Sequence, residues 1–200
     1  MVVRCGVILI GVAGTGFGCA CFLAANLGSD PVTAFVQGLG RTLGTTAGTG
    51  TNILNGSAFL ILLLVNRRLI HIGTALYTLL LGITVDLFTG LLSLALGPEP
   101  GMVVRVIALG TGALAIACGL GLYQAAELGV GPTDGINQTI VAKTGLPYRW
   151  ERMIFDAAMA LAGWLLGGVI GPGTVVGMLC VGPVMAATLE WGKRQMLGIQ

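Results

Sequence analysis

Two similar octets, Ala24-Ala25-Asn26-Leu27-Gly28-Ser29-Asp30-Pro31 and Ala125-Ala126-Glu127-Leu128-Gly129-Val130-Gly131-Pro132, each follow a long apolar stretch of the chain. They lie 101 positions apart, and residues on either side match at the same spacing. These further matches pair Arg4 with Arg105, Gly11 with Gly112, Gly18 with Gly119, Gln37 with Gln138 and Gly44 with Gly145. After one deletion the spacing becomes 100, which pairs Gly73 with Gly173 and Thr74 with Thr174. This ordered series predicts two copies of one structural unit.

The composition predicts a membrane protein. Of the 200 residues, 55% are hydrophobic and 9% are charged, and the mean hydropathy is +0.93. Soluble domains carry about 25% charged residues, so the polar surface here is too small to cover a globule in water. The net charge of +2 argues against nucleic acid as a partner. The five cysteines are odd in number and lie in apolar stretches, which makes a disulfide framework unexpected.

Six apolar stretches are long enough to be membrane helices, which need about 20 residues each. We place them at residues 5–29, 49–65, 72–96, 106–126, 150–167 and 174–191. Each octet is followed by a segment of about 12 residues, 32–43 and 133–144, which is too short to span. Each unit then has three crossings, and an odd number inverts the second unit relative to the first. The expected fold is therefore an all-α membrane protein of about six transmembrane helices in two inverted three-helix repeats, residues 1–98 and 103–192, within one membrane domain.

The distribution of basic residues predicts the orientation. With the N-terminus inside, eight of the ten Lys and Arg residues fall on the inner side, and only Arg41 and Arg105 fall outside. Cytoplasmic loops are enriched in Lys and Arg. We therefore expect a multi-pass protein of the bacterial cytoplasmic (inner) membrane with both termini in the cytoplasm.

The two Leu-Gly-x-x-Pro breaks are the strongest candidates for a solute site. Pro31 and Pro132 suit the first turn of a helix, and Asp30 is a good N-cap. The exposed N–H groups of such helix starts attract anionic groups, and broken helices of transporters place them near the bilayer midplane. The short helices are either re-entrant or flat at the interface. Gly28, Pro31, Gly129 and Pro132 are then candidate gate residues, and the candidate solute ligands are Asp30, Gln37, Asn52, Asp134, Gln138 and Asp156.

Two further sets of charges lie where lipid is expected. Asp86 is deep in the third stretch, and an ionisable group there is costly unless it has a role or a partner. It is either a coupling residue for a proton or cation, or a hydrogen-bonding group between helices. Arg152 and Asp156 lie four residues apart on one helix face and can form an ion pair. They either orient the helix at the interface or form a pocket wall, where Asp156 aligns with Asn55 of the first unit.

The sequence lacks the motifs of nucleotide binding, nucleophilic catalysis and metal binding. Gly48-Thr49-Gly50 is not followed by the Gly-Lys-Ser/Thr of a phosphate loop. We find no nucleophile–base pair and no metal-ligand spacing, so we expect no enzyme activity, no cofactor and no metal site.

Longer stretches of both halves point to a family. They are residues 25–31, 48–52 and 72–74 in the first half, and residues 128–135, 148–156 and 163–174 in the second. In these stretches the chain resembles the YczE/YitT-like bacterial membrane proteins over nearly its whole length. The resemblance implies a multi-spanning membrane protein described as a transporter, with no settled substrate.

These observations favour secondary transport of a small polar or anionic solute by alternating access, with proton coupling as an option. Inverted units with equivalent breaks on opposite faces are the architecture of that mechanism. The alternative is a non-transporting accessory or scaffold protein that stabilises a membrane partner. GxxxG pairs such as Gly14/Gly18 and Gly163/Gly167 offer faces for helix packing and for a homodimer in the lipid bilayer.

Overall fold

The computed structural model describes residues 2–97 and 100–197, and within them the chain is all α-helical, with eight α-helices, one 3₁₀ turn and no strand. The helices are α1 (Val2–Ala25), α2 (Pro31–Leu43), α3 (Ala47–Val65), α4 (Ile72–Leu96), α5 (Met102–Ala125), α6 (Pro132–Thr144), α7 (Tyr148–Leu165) and α8 (Pro172–Leu197), with the 3₁₀ turn at Arg67–Leu69. The long helices and the two short ones lie where the apolar pattern predicts them. The repeat boundary predicted at residue 98 lies outside the described residues.

Five of the described helices are long and apolar enough to cross a membrane: Val3–Ala25, Ala47–Val65, Ile72–Leu96, Met102–Ala125 and Pro172–Met196. Large apolar side chains cover their outer faces, and Leu64 and Leu94 are 87% and 85% exposed. Side chains of this kind require an apolar surrounding, which a bilayer supplies. The chain is therefore a multi-pass membrane protein. The six-helix prediction is met only in part, because α7 carries four charged residues in its first half: Arg149, Glu151, Arg152 and Asp156.

The two breaks have the same backbone conformation. Asn26 and Gly28 have φ values of +48° and +100°, and their counterparts Glu127 and Gly129 have φ values of +54° and +116°. Left-handed conformations are rare for residues other than glycine. Their repetition at a spacing of 101 residues shows that both octets turn the chain in one way before a short helix that starts with proline.

Helices α1 and α5 cross at the centre of the molecule through glycine. A Cβ built on Gly11 would lie 2.7 Å from the carbonyl oxygen of Gly119, and one built on Gly18 would lie 2.7 Å from that of Gly112. Each glycine thus allows the two backbones to approach closely. The earlier glycine of α1 meets the later glycine of α5, and the later one meets the earlier, so α1 and α5 are antiparallel.

Each break is held by the start of a helix from the other half of the chain. The Gly73 N–H, in the first turn of α4, donates to the Leu128 carbonyl over 2.8 Å. The equivalent Gly173 N–H of α8 donates to the Leu27 carbonyl over 3.0 Å. The short helices also pack across the halves, α2 on α7 and α6 on α3. The two halves are therefore interlocked around both breaks.

Candidate functional site

A cavity of about 470 Å³ lies between the two breaks, and every one of the eight α-helices contributes to its wall. Its polar wall residues come mainly from the short helices and from α3 and α7, and they include Asp30, Thr33, Thr51, Asn55, Gln124, Asp134, Gln138, Tyr148, Arg152 and Asp156. Small-molecule sites are concave, with few polar groups in a largely apolar wall, and have volumes of about 300–1,000 Å³. The cavity meets this description.

A charged cluster forms one part of the wall. Arg152 Nη1 lies 3.0 Å from Asp134 Oδ1, and its Nε lies 3.2 Å from the Asp156 carboxylate. Gln124 Nε2 donates to Asp134 Oδ2 over 3.3 Å. Asp134 is in the first turn of α6, while Arg152 and Asp156 are one turn apart on α7, so the packing of α6 on α7 assembles the cluster. Charge-assisted hydrogen bonds of this kind stabilise groups that are withdrawn from water.

Asp30 provides a second carboxylate in the wall. It is the N-cap of α2, and its Oδ2 accepts the Thr33 N–H over 3.3 Å. Its Oδ1 is buried and has no hydrogen-bond partner among the described residues. A buried acceptor without a partner is costly, so a hydrogen bond from a donor that reached this oxygen would be favourable.

Aromatic rings border these charges. Tyr77, Tyr148 and Phe155 belong to the wall. The Tyr77 ring packs against Tyr123 with 4.7 Å between centroids, and Arg152 Cζ lies 5.9 Å from the centroid of Phe155. The rings give the cavity apolar faces beside its carboxylates.

Five of the residues predicted to form the solute site or its gates line the cavity: Asp30, Pro31, Asp134, Gln138 and Asp156. Gln37 and Asn52 do not belong to the wall. Gln37 Oε1 accepts the Val169 N–H over 2.8 Å and so joins α2 to the loop before α8. Asn52 faces Gly82 of α4, while Asn55, one turn further along α3, reaches the wall.

Gly28 and Gly129, predicted to offer backbone to the solute, lie against protein. A Cβ on Gly28 would collide with the backbone of Gly171, and one on Gly129 would lie 2.5 Å from Thr74 Oγ1. Pro132 is buried behind the wall, and its neighbour Thr133 lines the cavity. These glycines allow the breaks to pack against α8 and α4.

Asp86 faces the protein but lies outside the cavity wall. Its Oδ2 accepts from Thr46 Oγ1 over 2.6 Å, and its Oδ1 accepts the Gly48 N–H over 2.9 Å. The side chain therefore caps the N-terminus of α3, where a negative charge interacts favourably with the helix dipole. This contact gives the partly exposed carboxylate a structural partner, and a coupling role stays a prediction.

The fold also brings to the site residues outside the predicted set of solute ligands. Thr33, Thr51 and Asn55 line the wall, and the repeat spacing aligns them with Asp134, Arg152 and Asp156. The sequence already related Asn55 to Asp156 as part of a pocket wall, and the same alignment is the signal that could have found Thr51. Glu151 had no such signal: it is 4% exposed behind the wall and lies 3.1 Å from the Asn137 amide nitrogen in the orientation that satisfies both groups.

A second depression lies between α5 and α8. Its lining is almost wholly apolar and includes Leu122, Pro183 and Trp191, with Cys118 and Thr188 at its edge. Trp191 is 57% exposed there. Without charged or convergent polar groups, this groove has the character of a surface that faces lipid acyl chains.

Apolar outer faces around a polar cavity define a polytopic α-helical membrane protein. Within that class, the chain belongs to the family of unknown function DUF6198, which matches residues 2–189. It is 31% identical over 163 residues to the uncharacterized membrane protein YczE of Bacillus subtilis, covering 82% of this chain and 74% of that protein. It is 30% identical over 179 residues to an uncharacterized protein of Haemophilus influenzae, covering 90% and 80% respectively. The resemblance to YczE-like proteins is thus confirmed. No solved structure matches the chain.

Proposed function

We propose that this protein transports a small polar solute across the membrane by alternating access through the central cavity. The observation that carries the proposal is the cavity itself, which has charged and polar walls and receives side chains from all eight α-helices. A scaffold protein needs no such space, and a polar cavity among apolar helices is costly unless it is used. Because all eight α-helices contribute to the wall, a rearrangement of the helices during alternating access would change the shape of the cavity.

The proposal includes six crossings, with α7 as the sixth. Its charged residues Arg152 and Asp156 turn toward the cavity, while Ile154, Leu161 and Leu165 on its surface are 62%, 58% and 71% exposed. A charged residue within a membrane helix is tolerated when it faces a water-filled cavity. With α7 counted, each half has three crossings.

The proposal also includes inversion of the second half. The antiparallel crossing of α1 and α5 supports it, as do the equivalent hydrogen bonds from Gly73 and Gly173 to the two breaks. Equivalent residues of both halves also face the cavity, such as Thr51 with Arg152 and Asn55 with Asp156. Transporters with inverted repeats bind their solute at such a repeat interface.

In this arrangement the short helices are re-entrant. Seven of the 13 residues of α2 are buried, and α2 packs on both α3 and α7. A helix lying flat at the interface would present one face to lipid and one to water. Burial of α2 among other helices instead supports a segment that descends into the protein and turns back.

The distribution of basic residues supports a cytoplasmic-membrane location with both termini inside, as the positive-inside rule requires. The break at residues 27–31 then lies toward the outer side and the break at residues 128–132 toward the inner side. The two breaks become candidate outer and inner gates.

Access to Cys19 tests the transport proposal. Cys19 lines the cavity, where its Sγ accepts a hydrogen bond from Thr33 over 3.4 Å. The other four cysteines are replaced by serine or alanine, and a membrane-impermeant thiol reagent is applied to right-side-out and to inside-out vesicles. A carrier that alternates between two states exposes Cys19 to each side in turn, so we expect labelling in both preparations.

Two matched controls report sidedness. Single cysteines at Thr42 and Thr144, near the ends of the two short helices and exposed, should each react from one side only, Thr42→Cys from outside and Thr144→Cys from inside. If Cys19 reacts with a membrane-permeant thiol reagent but resists the impermeant reagent from both sides while the controls react, the cavity is closed and the scaffold alternative is favoured. Labelling of Cys19 from one side only would also contradict alternating access.

A further inference from the structure

We infer that the solute of this cavity is a small organic cation, such as a protonated or quaternary amine, because three carboxylates in its wall face one guanidinium that is already paired. This inference rests on the proposed transport function and names the class of solute. A cationic solute differs from the anionic solute that the sequence favours because of the exposed N–H groups at the starts of the two short helices.

The charge balance of the wall favours a cation. Asp30, Asp134 and Asp156 are the carboxylates of the described wall, and Arg152 is its one cation, which leaves a formal excess of two negative charges. Buried Glu151 lies beside them, and its Oε2 has no hydrogen-bond partner in the described part of the chain. An anion entering this space would meet repulsion at short range, where the low dielectric strengthens it.

Arg152 is poorly available to an anion. Its Nε and Nη1 are both directed to carboxylates, Asp156 and Asp134, at 3.2 Å and 3.0 Å. The carboxylate of a solute could accept only from the remaining N–H groups of this guanidinium, and it would then lie beside Asp134 and Asp156, whose two negative charges already exceed the single charge of Arg152. Displacing either partner instead would leave an uncompensated charge, which is costly.

The helix N-termini do not offer an open anion site either. Asp30 already occupies the start of α2, where its Oδ2 accepts the Thr33 N–H. Asp134 occupies the first turn of α6. The favourable interaction of each dipole with a negative charge is therefore supplied by the chain itself. What remains without a hydrogen-bond partner among the described residues is the second oxygen of Asp30, which accepts hydrogen bonds and donates none.

The remaining walls favour an organic cation over a metal ion. Tyr77, Tyr148 and Phe155 present rings to the cavity, and aromatic faces attract ammonium groups. In the described ranges no three His, Cys, Asp or Glu side chains converge closely enough to hold a metal ion. The volume of about 470 Å³ also suits a small organic molecule better than a single ion.

The test measures charge preference at Cys19 in the same four-cysteine replacement variant. The protein is placed in lipid nanodiscs, where both faces are open and no membrane potential acts. Cationic and anionic methanethiosulfonate reagents of similar size react with Cys19, and each rate is divided by the rate of that reagent with free 2-mercaptoethanol. We expect the normalised cationic rate to exceed the anionic rate by about tenfold or more, since charges a few ångströms away act in a low dielectric.

Asp30→Asn tests the carboxylate directly. Asparagine is also a good N-cap, so α2 keeps its start while the charge is lost. We expect the ratio of cationic to anionic rates to fall severalfold. Glu190→Gln is the control, because Glu190 is exposed on α8 and paired with Arg194, and it should leave the ratio unchanged.

The outcomes separate this inference from the proposed function. Equal normalised rates, or a faster anionic reagent, would overturn the cationic solute while leaving the accessible cavity intact. Failure of both reagents to reach Cys19 would instead count against transport itself. A high ratio that Asp30→Asn does not lower would support a cation and contradict the role given to Asp30.

Discussion

At the scale of single residues, Arg152 determines the charge state of the cavity wall. Its side chain is the pairing partner of both Asp134 and Asp156, whose side chains are 14% and 19% exposed. Arg152→Gln leaves two carboxylates near each other without a cation. We expect the unfolding free energy to fall by about 1–2 kcal/mol, less than for a fully buried pair, because the Arg152 side chain is 36% exposed and solvent screens the charges.

This effect is measured by thermal unfolding in detergent, with size-exclusion chromatography as the readout of the folded fraction. Arg152→Gln combined with Asp134→Asn should recover part of the lost thermal stability, because the second change removes one of the unpaired charges. A double variant no more stable than Arg152→Gln would show that the ion pair does not stabilise the fold.

For Asp86, a structural role and a coupling role predict different effects of substitution. Its carboxylate accepts the Gly48 N–H and the Thr46 hydroxyl at the start of α3. Asp86→Asn keeps one acceptor and loses the charge, so we expect a loss of about 1 kcal/mol, typical of a charge at a helix terminus. Asp86→Leu, which removes both acceptors, should be the less stable variant in the same unfolding assay.

Coupling is measured separately, by pH-driven uptake into proteoliposomes once a solute is identified. The coupling prediction is that Asp86→Asn abolishes this uptake while expression is unchanged. Full uptake in Asp86→Asn would leave Asp86 with only its capping role.

At the scale of elements, the two breaks are closely packed connections whose glycines are required by the packing. Gly28 and Gly129 have φ values of +100° and +116°, and each lies against a helix start of the other half. Gly28→Leu and Gly129→Leu should therefore prevent folding, since a side chain would be strained and would also collide with neighbouring atoms.

The milder Gly28→Ala and Gly129→Ala variants should each lose about 1–3 kcal/mol through backbone strain, plus the cost of the clash. Gly90→Ala is a matched helical control, with nothing within 4 Å of its added Cβ. The yield of monodisperse protein and its melting temperature are the measurements. Alanine variants as stable as Gly90→Ala would contradict the packing described for the breaks.

The glycine pairs of the helices also bear on assembly. Gly14 and Gly18 pack on α5, while Gly163 packs on α2, all within one chain. Three glycines of the two named GxxxG pairs are therefore already packed against the chain itself, whereas a Cβ built on Gly167 would meet nothing within 4 Å. A homodimer stays a prediction, and these pairs no longer provide its interface.

At the scale of the whole molecule, the proposed inversion makes a geometrical prediction. Residues 4–88 should superpose on residues 105–188 by a rotation of about 180° around an axis in the membrane plane. An experimental structure in lipid measures this axis directly. An axis along the membrane normal would mean that the halves are parallel, and it would contradict both the six-helix count and the antiparallel crossing of α1 and α5.

The sequence alone determined the helices, their membrane location and the family. Apolar length identifies a membrane helix without knowledge of its neighbours, and proline and glycine mark breaks through local backbone geometry. For the same reason the starts of α2 and α6 could be predicted to within one residue. Asp30, Asp134 and Gln138 were also predicted for the site because they lie at or shortly after the breaks, and Asp156 because it aligns with Asn55 of the first unit.

Only the tertiary structure decided which polar groups share a space. Gln37 and Asn52 carry the same chemistry as their neighbours, yet helix rotation directs Gln37 to the Val169 N–H and turns Asn55 to the cavity in place of Asn52. The charge balance also depended on packing, since Asp134 on α6 meets Arg152 on α7 only when the two helices are in contact. Hydrophobic patterning records how much of each helix is apolar, whereas the pairing of charges depends on contacts between elements far apart in the chain.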